Sequence, residues 1–328
     1  MEIKEFSRIK KFFRPLTSQR MGAMELLDDA ALVPIKKTNS IVVSTDALVE
    51  KIHFHSNESA DFVARKALRT NLSDLAAMGS KPFAYNLAII IGKRKSSNID
   101  QWLKLFSKGL AVDQKKFGIE LIGGDTVTSL GPTSICITIF GTPNIKGSLL
   151  RSGAKVGDGI FVSGTIGDAA LGLKLIENRS LSCLSKNNSY CVSRYRIPRP
   201  RVELGLALGG LASAAMDISD GLFQDLNHLC GASSVGGLVH ANKIPLSKEV
   251  SNFVNQNKFS IEQVITGGDD YELIFTAPVP KEKSILNLAR LTNTRITRIG
   301  TVQSGRGGSI LDKNGDFIAV SKGGYSHD

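Results

Sequence analysis

Apolar, β-branched runs that lead straight into carboxylates recur along this chain, and few folds accommodate them. Ile41, Val42 and Val43 favour a buried strand, and Ser44, Thr45 and Asp46 follow at its expected end. Ile119–Ile122 runs into Gly123, Gly124 and Asp125. A short apolar strand ends at Asp217, with Ser219 and Asp220 at the entry to a helix over 221–229. Val264 and Ile265 lead through a Gly-Gly pair to Asp269 and Asp270. A single such Asp is ordinary turn chemistry. Repeated, the device suits a hard cation such as Mg²⁺, which prefers carboxylate and hydroxyl oxygens.

The intervening segments read as helices and loops. Asp61–Gly79 carries a stripe of Ala64, Leu68, Leu72 and Leu75, with Asp61 as candidate N-cap and Gly79 as its stop. Asn71 and Asp74 lie three apart on an adjoining face, which predicts partial burial and a partner: Arg65, Arg69 or a metal. Asp28 and Asp29 are adjacent carboxylates, in a solvated loop or beside a cation. Segment 100–118 reads as a helix and 83–91, 133–140 and 294–302 as strands. Gly305–Gly308 reads as a hairpin turn. Gly141–Gly147 looks like the link between two domains, 1–145 and 146–328.

Bulk properties narrow the function. At 328 residues with 42% hydrophobic and 22% charged residues the chain is globular, with about two domains. The net charge of +11 suits phosphorylated small molecules. The basic residues are scattered without an aromatic ladder, which argues against a nucleic-acid binder. Cys136, Cys183, Cys191 and Cys230 show no C-x-x-C pairing, so a cytoplasmic setting is expected. The charged N-terminus has no signal-like apolar stretch, and its short basic amphipathic helix is expected to pack on its own domain and not on a membrane. P-loop, nucleophile-elbow and Rossmann signatures are absent. Many carboxylates with few candidate bases point to Mg²⁺-dependent chemistry on nucleotide phosphates, where positioning and charge neutralisation do most of the work.

Longer motifs sharpen this. DDAAL (28–32), STDALVEKIHF (44–54), NLSDLAAMG (71–79), LIGGDT (121–126), RSGAKVGD (151–158), SGTIGDAALGL (163–173), DISDGL (217–222) and GGDDYELIFT (267–276) occur in order along nearly the whole chain. Together they resemble the thiamine-monophosphate kinase family, of the superfamily that also holds aminoimidazole-ribonucleotide synthetase and selenophosphate synthetase. The resemblance implies a two-domain α/β (α+β) fold, dimeric through the sheet of its N-terminal domain. It implies transfer of the γ-phosphoryl of ATP to thiamine monophosphate by direct in-line attack. Asp29, Ser44, Thr45, Asp46, Asp74, Asp125, Asp217 and Asp220 would hold several Mg²⁺ ions. Gly124, Asp125, Arg151 and Ser219 would contact ATP, and His53, Asp269 and Lys322 would face the acceptor. The chain departs from the family pattern at Leu27 (usually Gly), at Asp269 (usually Glu) and at Lys322 (commonly aromatic). Those departures leave a different phosphate acceptor, or nucleotide binding without turnover, as the competing readings.

Overall fold

The computed structural model describes residues 27–28, 31–35, 39–92, 99–182, 189–320 and 324–325. Asp29, Lys322 and the N-terminal helix lie outside them. Among the described residues the strands form two sheets. Strands β1 (Ala31–Ile35), β2 (Asn39–Val49), β3 (Lys81–Gly92), β4 (Glu120–Ser129) and β5 (Ser134–Thr142) form the first, in the order β1-β2-β5-β3-β4. All pairs are antiparallel except β3 with β4. Strands β6 (Gly159–Ser163), β7 (Ala214–Ile218), β8 (Gly236–His240), β9 (Glu272–Ala277), β10 (Ile296–Gln303) and β11 (Gly307–Leu311) form the second, in the order β11-β8-β10-β6-β9-β7.

Helix α1 (Ala60–Ala77) is the keystone between the sheets. Its apolar stripe sits in a core with Val42, Ile137 and Ile139 of the first sheet, and the same core takes Phe161, Ala215, Leu273 and Phe275 of the second. That explains why so much of α1 is buried, not the single face its stripe implied: a helix covered on both sides has no solvent face. Helix α2 (Ile99–Phe117) lies beside it and supplies Asp113. Arg69 of α1 donates to both Asp113 oxygens at 2.6 Å and to the Pro198 carbonyl at 2.7 Å. Arg65 also approaches Asp113, at 3.5 Å. Neither arginine pairs with Asp74.

The second sheet carries α3 (Asp168–Glu177), the short α4 (Arg179–Ser182), α5 (Tyr190–Arg196), α6 (Val202–Leu208), α7 (Leu222–Ser233), α8 (Lys248–Asn255), α9 (Ile261–Thr266) and α10 (Glu282–Leu291). Gly205 of α6 meets α1 so closely that a Cβ there would lie 2.0 Å from the Ala76 carbonyl oxygen. No helix among the described residues is long and apolar enough to cross a membrane.

Several local expectations change. Asp46 lies inside β2, not at its tip, because β2 continues to Val49 against β5. Asp125 likewise lies within β4, which continues through the glycines after an irregularity in its pairing with β3 at Ile122. Helix α1 begins after Ser59, and Asp61 sits in its first turn accepting from the Ser59 hydroxyl. Val264 and Ile265 are helical, stabilised by a capping box between Ser260 and Gln263. The Gly305–Gly308 turn is no hairpin: it carries the chain across β8, so that β11 pairs β8 in parallel.

Candidate functional site at the seam of the two sheets

Alternation along β2 sorts its side chains. Val42, Ser44, Asp46 and Leu48 turn inward to α1, while Thr45 and Ala47 turn outward. The Ser44 hydroxyl donates to Asp74 Oδ2 at 2.5 Å. Among the described residues β1 pairs β2 as far as Val43, and the Asp46 N–H donates to Asn71 Oδ1 at 3.2 Å. Asn71 in turn donates to the Ala67 carbonyl. The i, i+3 pair on α1 therefore docks onto the polar part of β2, bringing Ser44, Asp46 and Asp74 together. Thr45 is not with them: its hydroxyl meets Thr138 at 2.9 Å on the outer face. Asp125 is also apart. It lies three strands from Asp46, about 14 Å across the sheet at ~4.8 Å per strand.

The second half contributes two stitched loops. Asp225, one turn into α7, accepts with Oδ2 from the backbone N–H of Ser219, Asp220 and Gly221, at 3.0, 3.1 and 3.2 Å. Asp220 is therefore not the cap of α7; it is displayed, steadied by Gln224 at 3.0 Å. The loop after α9 is tied to the same segment, with Asp269 N–H donating to the Ser219 carbonyl and Tyr271 N–H to the Ile218 carbonyl, both at 2.8 Å. Asp269 and Tyr271 take left-handed backbone conformations, φ 70° and 49°, which a side chain as bulky as Tyr adopts only where surroundings compel it. Residues of this loop alternate in role. Asp269 and Tyr271 face the seam. Asp270 is buried and accepts from Gly167 N–H at 2.6 Å and Ala169 N–H at 3.1 Å. Glu272 is buried between Arg194, Arg201 and the Ser163 hydroxyl, at 2.5–2.9 Å.

Electrostatics join the halves. Burial pushes the Tyr271 phenol well up, and the charges of Asp269, Asp46, Asp217 and Asp74 push it further. Carboxylates of both sheets thus act on one buried hydroxyl. Burial likewise raises Asp225, with Asp220 and Asp217 adding to the rise and Arg151 opposing it. Arg151 is held by its backbone: its N–H donates to Asp28 Oδ1 at 3.0 Å, and its carbonyl accepts from Ser233. The donor set of Ser44, Asp46, Asp74, Asp217 and Asp220 is all oxygen and strongly anionic, which fits a hard divalent cation. Asp220, Asp225 and His228 also have ligand atoms within 4.8 Å of one another, but Asp225 is already committed to three N–H groups.

His53 follows β2 in a tight turn. Its Nδ1 accepts from the Val49 N–H at 3.0 Å, which places the proton of a neutral ring on Nε2. Its carbonyl accepts from Lys66 Nζ at 3.1 Å and the Tyr195 hydroxyl at 3.3 Å. Lys66 Nζ also donates to Asp269 Oδ2 at 2.8 Å. His53 and Asp269, expected on one acceptor side, are therefore bridged by a lysine. Sequence reasoning did not single out Lys66, Tyr195, Asp225 or Tyr271; two of them had a sequence signal, Tyr271 inside the GGDDYELIFT motif and Asp225 five residues after Asp220 on the helix predicted over 221–229.

Comparison with known proteins gives the family. The family model for the N-terminal domain of AIR synthase related protein matches residues 27–142, and that for the C-terminal domain matches 155–313. The thiamine-monophosphate kinase of Buchnera aphidicola subsp. Schizaphis graminum is 37% identical over 328 residues, covering 100% of this chain and 99% of that protein. The thiamine-monophosphate kinase of Escherichia coli K12 is 35% identical, covering 98% of each chain. A solved structure described as AaThiL complexed with AMPPCP and TMP superposes with a TM-score of 0.82 at 29% identity, covering 100% of this chain and 99% of that one. With these matches over its full length, the chain belongs to the thiamine-monophosphate kinase family of AIR synthase related proteins.

Proposed function

We propose that this chain transfers the γ-phosphoryl group of ATP to the phosphate of thiamine monophosphate, giving thiamine diphosphate and ADP. The observation that carries the reading is that α1, bonded through Asp74 to Ser44 of β2, is tied through Lys66 and Asp269 to the Ser219 loop of the second half. Phosphoryl transfer between two phosphates brings together several negative charges, so the site must position and neutralise, with little covalent work left to the protein. Ser44, Asp46, Asp74, Asp217 and Asp220 would hold Mg²⁺, with Asp29 in the same set by family likeness. Bound there, Mg²⁺ supplies charge neutralisation for the phosphate oxygens. Arg151 and Ser219 would contact ATP by family likeness. The Asp225 anchor keeps the 219–221 loop in one shape, and the Ser44–Asp74 bond orients that carboxylate. The in-line step needs no protein nucleophile: an acceptor phosphate oxygen attacks the γ-phosphorus and ADP leaves.

Gly124 and Asp125 fit this reading through a second copy of the chain. The outer face of the first sheet and its edge strand β4 expose Phe83, Leu121, Ile122 and Val127, an apolar surface suited to pairing. Dimerisation there would bring Asp125 of one copy towards the carboxylates of the other, which its own sheet keeps away.

The test is direct. Purified protein with ATP, Mg²⁺ and thiamine monophosphate is expected to form equal amounts of thiamine diphosphate and ADP, and to stop when a chelator is added. Asp46→Asn and Asp217→Asn are each expected to lower turnover by about a thousandfold or more with the fold retained. Binding of ATP without thiamine diphosphate formation would sink the reading in favour of another acceptor.

A further inference from the structure

Lys66 is among the most buried charged residues of the molecule, 2% exposed, yet it belongs to no phosphate-facing set. Its ammonium lies 3.8 Å from the centroid of the Tyr195 ring and donates to Asp269 and to the His53 carbonyl. Behind it a crevice is lined by Phe54, Phe62, Val63 and Tyr195 and flanked by the Arg196–Glu58 ion pair at 2.9 Å. That backing shields the Lys66 end of the Lys66–Asp269 pair, whose lysine side chain is 3% exposed. Asp269 is thereby gripped at Oδ2, while its backbone is fixed to Ser219. Its side chain stays 30% exposed, and among the described residues Oδ1 takes no hydrogen bond. One carboxylate oxygen is anchored and the other is presented.

We propose that Lys66, seated on Tyr195, is a positioning residue for the acceptor: it holds Asp269 Oδ1 and the His53 turn where a cationic, N–H-bearing heterocycle such as the aminopyrimidine–thiazolium of thiamine meets them. This inference rests on the phosphotransfer reading above. It also accounts for how the chain works with Asp where the family usually carries Glu. The shorter side chain stays against α1 and is aimed by Lys66 instead of by its own reach.

The test separates acceptor from nucleotide. Wild-type turnover is measured first; no thiamine diphosphate overturns both the phosphotransfer reading and this inference. Given turnover, Lys66→Met is expected to raise the KM for thiamine monophosphate about tenfold or more while the KM for ATP moves less than about twofold, and Lys66→Arg is expected to recover most of the loss. Because Lys66 acts through Asp269, the double variant Lys66→Met/Asp269→Asn is expected to be no worse than the more impaired single variant. An unmoved acceptor KM, a parallel rise in both KM values, or multiplying effects in the double variant would each overturn the inference alone. Should Lys66→Met fail to fold, Asp269→Asn removes the charge that Lys66 holds and the oxygen it presents. It is expected to raise the acceptor KM about tenfold with the ATP KM moved less than about twofold, and no change in the acceptor KM overturns the inference.

Discussion

At the scale of single residues, the GGDDYE loop is the most instructive stretch. Asp270 has no route to solvent, and burial with the nearby Asp168 charge pushes its carboxyl up to about 8, although the Gly167 and Ala169 N–H groups and Arg194 pull the other way. A carboxyl raised from its unfolded value of about 4 binds a proton more tightly in the folded state. Its contribution to stability is therefore full below about pH 4 and is lost as pH rises towards about 8. Thermal denaturation is expected to show a melting temperature that declines between about pH 4 and pH 8, with a shallower decline in Asp270→Asn. An equal slope in both proteins would remove Asp270 as the cause. The sequence singled out both Asp269 and Asp270 but not their different roles. Its spacing shows two adjacent carboxylates, and only the αL turn at Asp269 and Tyr271 reveals that alternate residues face opposite ways. Lys66 was illegible for a similar reason: its partner Asp269 lies 203 residues further along the chain.

At the scale of elements, the glycines before Asp125 teach a different lesson. A glycine pair beside an Asp suggests a loop that approaches phosphate, but β4 passes through it as a strand. A Cβ at Gly124 would lie 1.9 Å from the Leu87 carbonyl oxygen of β3, so the glycine is required by the neighbouring strand. Gly124→Ala is expected to cost about 1–3 kcal/mol by forcing β3 and β4 apart. The melting temperature should drop by roughly 5 °C. A variant as stable as wild type would show that β4 shifts freely. Helix α1 was more legible, since its stripe, its Gly79 stop and the shared face of Asn71 and Asp74 all follow from helical spacing. What spacing does not contain is the second sheet on its far side, which buries the rest.

At the scale of the whole molecule, two domains and the order of motifs were readable because each motif is contiguous in sequence. The two family models match 27–142 and 155–313. The pairing of β11 with β8 was not readable, because parallel partners are joined by long detours that local turn residues do not announce. Association is the property that belongs to this scale. Ile122 is 61% exposed on the edge strand, with Leu121 and Val127 beside it. By sedimentation the wild-type protein is expected to be a dimer and Ile122→Lys a monomer with little activity, since Asp125 then has no way to reach the carboxylates around Asp46. A variant that stays dimeric would place the interface elsewhere.

Division of the site between the sheets has a consequence for how the enzyme behaves before it is complete. Ser44, Asp46 and Asp74 are on one side of the seam, and Asp217, Asp220 and Asp269 on the other. On the proposed reading, a chain still emerging from the ribosome, or one whose second half has come loose, holds only part of the cation-binding oxygens. Such a species is expected to bind ATP weakly and not to hydrolyse it. Docking of the halves would then complete the site, and activity is expected to follow the integrity of the whole molecule.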